Sequence, residues 1–179
     1  YRYDTANDVV IEETEIYGDA PGEAFGAGLG TRDDDGDGYL ELAVGAVGAN
    51  QLAGEVHILR GGWIGQPPPA QPTFEMDYLY TLGGGAPGDL FGYSILTAGD
   101  VFHNDGRDEL LVGAPYADMS GSLQGAIVLF LNRNMVLALT SGEDNSLFGW
   151  DMDGGLDVNH PDPGNPNVDS WNDFVIGAP

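Results

Sequence analysis

The chain has no cysteine, so disulfide cross-links and thiol chemistry are excluded. It is almost as poor in positive charge: five Lys and Arg residues stand against 29 Asp and Glu, a formal net charge of -24. A phosphate backbone needs a basic face, so nucleic acid is excluded as a partner, and an anionic membrane surface is disfavoured. No run approaches the roughly 18 apolar residues of a membrane helix, and no segment shows long helical periodicity. The longest apolar runs are about as long as strands. No signal peptide or initiating Met is present, and the chain opens at "YRYDT" and stops at "VIGAP" in mid-pattern. The expectation is a mature fragment or a window of something longer.

What the chain does have is glycine, apolar residues and acid. Its 179 residues are 42% hydrophobic, enough for one domain with a core, and its 29 Gly and 11 Pro supply turns. An all-β fold follows. Three segments repeat: "GDAPGEAFG" (18–26), "GGAPGDLFG" (84–92) and "SGEDNSLFG" (141–149). Each is followed by a second shared piece: "LELAVGA" (40–46), "DELLVGAP" (108–115) or "NDFVIGAP" (172–179). Alternating apolar stretches, "GEVHILRG" (54–61) and "GAIVLFLN" (125–132), come next in the first two. The Phe-Gly pairs begin at Phe25, Phe91 and Phe148. A period of roughly sixty residues with four short strands each predicts β-propeller blades. The first strand starts at Phe-Gly. The continuous "LAVGA" type of run suits a strand packed on both faces, and 76–83 and 135–142 read as fourth strands. The Pro-rich loop 61–74 reads as an extended spacer.

The order Phe-Gly, Asp-rich loop, Val-Gly-Ala-Pro resembles the FG-GAP repeat, from about residue 8 to 179. That family includes the propeller heads of integrin α subunits and many bacterial surface proteins. The resemblance implies four-stranded antiparallel blades at 23–83 and 89–142, an incomplete blade at 147–179, and the last strand of a preceding blade at 8–22. This is a partial propeller of about two and a half to three blades, within a single segment 1–179. Family members usually close as seven blades.

Part of the acidic charge is crowded into three loops with the spacing of metal ligands. In "DDDGDGYLE", Asp33, Asp35, Asp37 and Glu41 occupy positions 1, 3, 5 and 9, Gly38 allows the bend, and the Tyr39 carbonyl sits at position 7. Ca²⁺ takes six to eight hard oxygens from such a loop, whereas Mg²⁺ demands strict octahedral geometry. An EF-hand would need Glu at position 12, which is Val44 here. Glu41 at position 9 matches the FG-GAP loop instead, and Asp34 is expected to face solvent. The second loop is one residue longer. It offers Asp100, Asn104, Asp105, the slot of Arg107 at position 7, and Glu109. Position 3 is ambiguous between His103 and Asn104, and Asn is the better hard-oxygen ligand. The third loop offers Asp157, Asn159, Asp169, Trp171 at position 7, and Asp173, with Asn165 and Asn167 as an alternative start. Two to three structural calcium sites are expected.

No nucleophile and base pair is evident around His57, His103 or His160, and no phosphate-binding glycine loop appears, so an enzyme is not expected. The implied function is a non-enzymatic, calcium-binding module at the cell surface or outside the cell. It would serve adhesion or filament assembly, with a protein or glycan ligand or copies of itself joined head to tail by strand addition. The alternatives are an accessory part of a larger secreted carbohydrate-active or hydrolytic enzyme, or a ligand-binding fragment of an integrin-like receptor.

Overall fold

The computed structural model describes residues 2–4, 7–11, 15–60, 78–101, 105–119, 122–156 and 172–179. A hairpin of β1 (Arg2–Asp4) and β2 (Val9–Ile11) comes first. Within the stretch 8–22 expected to hold the last strand of a preceding blade, Val9–Ile11 is strand and 15–18 lie outside any strand among the described residues. Next, β3 (Phe25–Arg32), β4 (Glu41–Ala46), β5 (Glu55–Leu59) and β6 (Tyr78–Gly83) form one four-stranded sheet in chain order. A second sheet repeats the order with β7 (Ile95–Gly99), β8 (Glu109–Ala114), β9 (Ala126–Leu131) and β10 (Asn134–Leu139). Last, β11 (Asp151–Leu156) pairs with β12 (Asp173–Gly177). Every named pairing is antiparallel, so each sheet is a simple meander, the arrangement of propeller blades. The first strands lie side by side, with β7 touching both β3 and β11.

Core residues lie between successive sheets. Ala43, Val56, Ile58, Phe91, Leu110, Val112 and Phe130 share one cluster. Leu111, Ile127 and Leu129 share another, with Met152 and Ile176 packed against it. Successive residues of a strand point to opposite faces. In β8, Leu110 and Val112 therefore face one neighbour while Leu111 faces the other, and all six residues are buried. That is why this stretch is apolar without alternation. Full burial of each such side chain contributes about 1.5–3 kcal/mol.

The repeated glycines form the seams. Gly92, of the second Phe-Gly turn, has φ +90°, a conformation L side chains rarely adopt. Its N–H donates to Gly113 O at 3.0 Å, within its own sheet. Its carbonyl presses on the preceding sheet at Gly45, where an added Cβ would lie 2.0 Å from it. One sheet further on, Gly149 N donates to Gly177 O at 3.1 Å, and the Gly149 carbonyl sits 2.2 Å from where a Cβ on Gly113 would be. The Phe-Gly and Gly-Ala glycines thus meet backbone to backbone, which no larger residue permits. In the second sheet regular pairing starts at Ile95, four residues after Phe91, because Phe91 turns into the core.

Candidate metal centre

The first acidic loop links β3 to β4. Asp33 Oδ1 accepts from Gly36 N at 2.7 Å and its Oδ2 from Gly38 N at 2.9 Å. Asp35 Oδ1 accepts from Asp37 N at 3.2 Å, and Asp37 Oδ1 from Tyr39 N at 2.8 Å. These bonds curl the backbone around its own carboxylates. As a result, carboxylate oxygens of Asp33, Asp35 and Asp37 lie within 4.8 Å of one another. Two oxygens on one Ca²⁺ stand no more than about 5 Å apart, so the trio fits a single ion. The donors are all hard oxygens, which favours Ca²⁺ over softer metals. Each carboxylate also retains acceptor capacity beyond its backbone bonds.

Glu41 stands apart from the trio. It is 2% exposed, and its Oε2 accepts from Asp34 N at 2.9 Å. Burial pushes its carboxyl above the usual range. The Asp34 amide opposes that shift, and the charges of Asp35, Asp37 and Asp34 add to it. Tyr39 is half-exposed at the loop tip.

Asp34 corrects the sequence reading. It does not face solvent but is 5% exposed, ion-paired with the fully buried Arg32. Its Oδ1 also accepts from the Tyr80 hydroxyl at 2.6 Å. Arg32 Nη2 further donates to Asn132 O, across the seam, at 3.2 Å. An aspartate between ligand positions reads as outward on alternation alone. The available signal was Arg32, one of only five basic residues, placed two positions away.

The second loop repeats the first. Asp100 Oδ1 and Oδ2 accept from Asp105 N (3.2 Å) and Gly106 N (2.7 Å), the latter matching Asp33 to Gly38. Asp105 Oδ1 accepts from Arg107 N at 3.2 Å, as Asp37 does from Tyr39. Glu109 Oε2 accepts from Val101 N at 2.6 Å, as Glu41 does from Asp34. The backbone register therefore runs 100, 105, 107 and 109 against 33, 37, 39 and 41. The Arg107 side chain turns away to Asn132 Oδ1 at 3.2 Å. Asn104 lies outside the described residues, as do Asp157, Asn159, Asp169 and Trp171 of the third loop; Asp173 is half-buried on β12.

No protein-family profile matches the chain. Several curated proteins do. Integrin alpha-PS2 of Drosophila melanogaster is 25% identical over 98% of the chain. Integrin alpha-PS5 of the same organism is 28% identical over all of it. Integrin alpha-7 of Mus musculus is 30% identical over 83% of it. The chain spans only 12% to 17% of the length of these relatives. Meander sheets, glycine seams and acidic loops already follow one repeated pattern, and with these similarities they identify the chain as an integrin-α-like FG-GAP repeat domain.

Proposed function

We propose that the chain is a non-enzymatic, calcium-stabilised propeller segment that works outside the cell or at its surface. Its blades would be 23–83, 89–142 and the incomplete 147–179, with 8–22 belonging to a preceding blade. Its loops would present a binding face to a protein or glycan partner. The observation that carries the calcium reading is the convergence of Asp33, Asp35 and Asp37 on one point. Repetition of the loop's backbone bonding between Asp100 and Glu109 supports a second site. The likeness to integrin α subunits supports the adhesive role. Among the described residues, no helix is long and apolar enough to cross a membrane.

Ca²⁺ would be held by Asp33, Asp35, Asp37 and the Tyr39 carbonyl, and would supply positive charge to crowded carboxylates. Calorimetric titration of the purified chain tests this. Wild type should bind two to three Ca²⁺, and an Asp35→Ala/Asp37→Ala variant should bind one fewer. A wild type that shows no calcium heat and no calcium-dependent melting shift refutes the reading. For the adhesive role, beads coated with the chain should adhere to extracellular-matrix protein in calcium and release in chelator; adhesion indifferent to chelator counts against it.

A second reading, self-association, has its own observation. Strand β12 exposes Phe174 and Val175, and β10 exposes Met135, Val136 and Leu137. Apolar strand surface of this kind favours pairing with another copy. Sedimentation velocity should show concentration-dependent growth that Val175→Lys suppresses. A monomer at every concentration removes this reading.

A further inference from the structure

The first two acidic loops touch across the seam between their sheets. Asp108 N donates to Asp33 O at 2.9 Å, and Asp108 Oδ2 accepts from Asp33 N at 2.8 Å. This reciprocal pair clamps both backbone polar groups of the residue that opens the first loop. The loops also meet at Gly36, where an added Cβ would lie 3.3 Å from Gly106 O.

The following seam has a related contact. Asn172 stands immediately before Asp173, as Asp108 stands before Glu109. Its Nδ2 donates to Ala98 O at 2.9 Å and fills the space beside Gly99, next to Asp100. In both seams, the residue ahead of position 9 reaches back to the start of the preceding loop. In the first loop that place is Leu40, which is 54% exposed.

We propose that Asp108 is a positioning residue for the cation site of the first loop, so that binding there depends on the loop of the next blade. The proposal rests on reading the first loop as a calcium site. A loop that must order itself around an ion spends part of the binding free energy on lost backbone freedom. Fixing Asp33 beforehand removes part of that cost and sets the direction of its carboxylate. Asp108 has an oxygen engaged with Asp33 N and acts through Asp33.

Calcium titration of the whole chain, followed through backbone amide resonances, tests this site by site. The Gly36 and Gly38 signals report the first loop, and Gly106 reports the second. In Asp108→Ala, the calcium concentration at the Gly36 and Gly38 midpoint should rise about tenfold or more, as for other partners that orient a metal ligand. The Gly106 midpoint should stay near its wild-type value. Asp108→Asn keeps an acceptor oxygen and should restore the first-loop midpoint most of the way, which a general loss of packing would not do. An unchanged first-loop midpoint in Asp108→Ala overturns the proposal, as does an equal shift at Gly106, or an Asn variant no better than Ala. If Gly36 and Gly38 ignore calcium in the wild type, the calcium reading itself fails and the proposal falls with it.

Discussion

Arg32 is fully buried, and its Nε and Nη1 have no hydrogen-bond partner among the described residues. Its charge is answered by Asp34, so the pair stands or falls together. Removing one member of a buried pair leaves the other uncompensated, at about 3–5 kcal/mol. Asp34→Ala is therefore expected to lower the urea midpoint sharply at fixed calcium. The double variant Arg32→Met/Asp34→Ala should recover much of that loss, since apolar replacements of buried pairs are often tolerated. A single variant as stable as wild type would contradict this account. Tyr80 belongs to the same network, with the Arg133 guanidinium 4.4 Å above its ring. Burial, and then the bond it donates to Asp34, hold its phenol well above the ordinary value, while Arg32 and Arg133 pull the other way. The folded state thus keeps this proton to higher pH than the unfolded chain, whose tyrosines ionise near about 10. Its stability contribution is intact below that pH and is lost as pH rises beyond it. Urea midpoints measured from pH 8 upward should fall, and Tyr80→Phe should flatten the fall. An identical slope in the two proteins rules Tyr80 out as its source.

Among elements, the seams rather than the sheets are the tight joints. Ser94 Oγ donates to Gly149 O at 2.7 Å, in the space a Cβ on Gly113 would occupy. Gly113→Ala must push Gly149 away and break that bond. Overpacking of this kind costs about 1–3 kcal/mol, occasionally more. In a chain of this size the melting temperature should drop by about 2–4 °C per kcal/mol. Melting unchanged from wild type would show that the seam yields freely. The strands themselves were legible in sequence. An unbroken apolar run such as Leu110 to Val112 needs two buried faces, and alternation in Val56 to Ile58 fits a third strand. Boundaries were less so, because Phe91 leaves the strand path to enter the core. Within the first loop, spacing named Asp33, Asp35, Asp37 and Glu41 alike, and the fold brings the three aspartates together while Glu41 turns to the Asp34 amide. The inward turn of Asp34 had one local cue, Arg32 two positions away, but its bond from Tyr80 was not readable, because Tyr80 lies on β6, far away in sequence.

For the molecule as a whole, a net charge of -24 opposes compaction unless cations offset it. Bound calcium at a hundred times its dissociation constant adds about 2.7 kcal/mol per site. A melt in EDTA should thus fall well below one in calcium. Sodium chloride near 1 M shortens the screening length to about 3 Å and should rescue part of the difference. Specific binding predicts that calcium still raises the melting temperature in that salt. If salt alone reproduces the full calcium effect, diffuse screening explains the stability and the loops are not sites.

The strands, their grouping into repeats and the acidic loops could be read along the chain. Those features are periodic and local, carried by residues a few positions apart. Folding alone set what lies against what over long stretches of chain: the glycine contacts between sheets, the bond from Tyr80 to Asp34, and the grip of Asp108 on Asp33. Those partners come from different strands or different sheets, and no spacing along the chain encodes their distance in space.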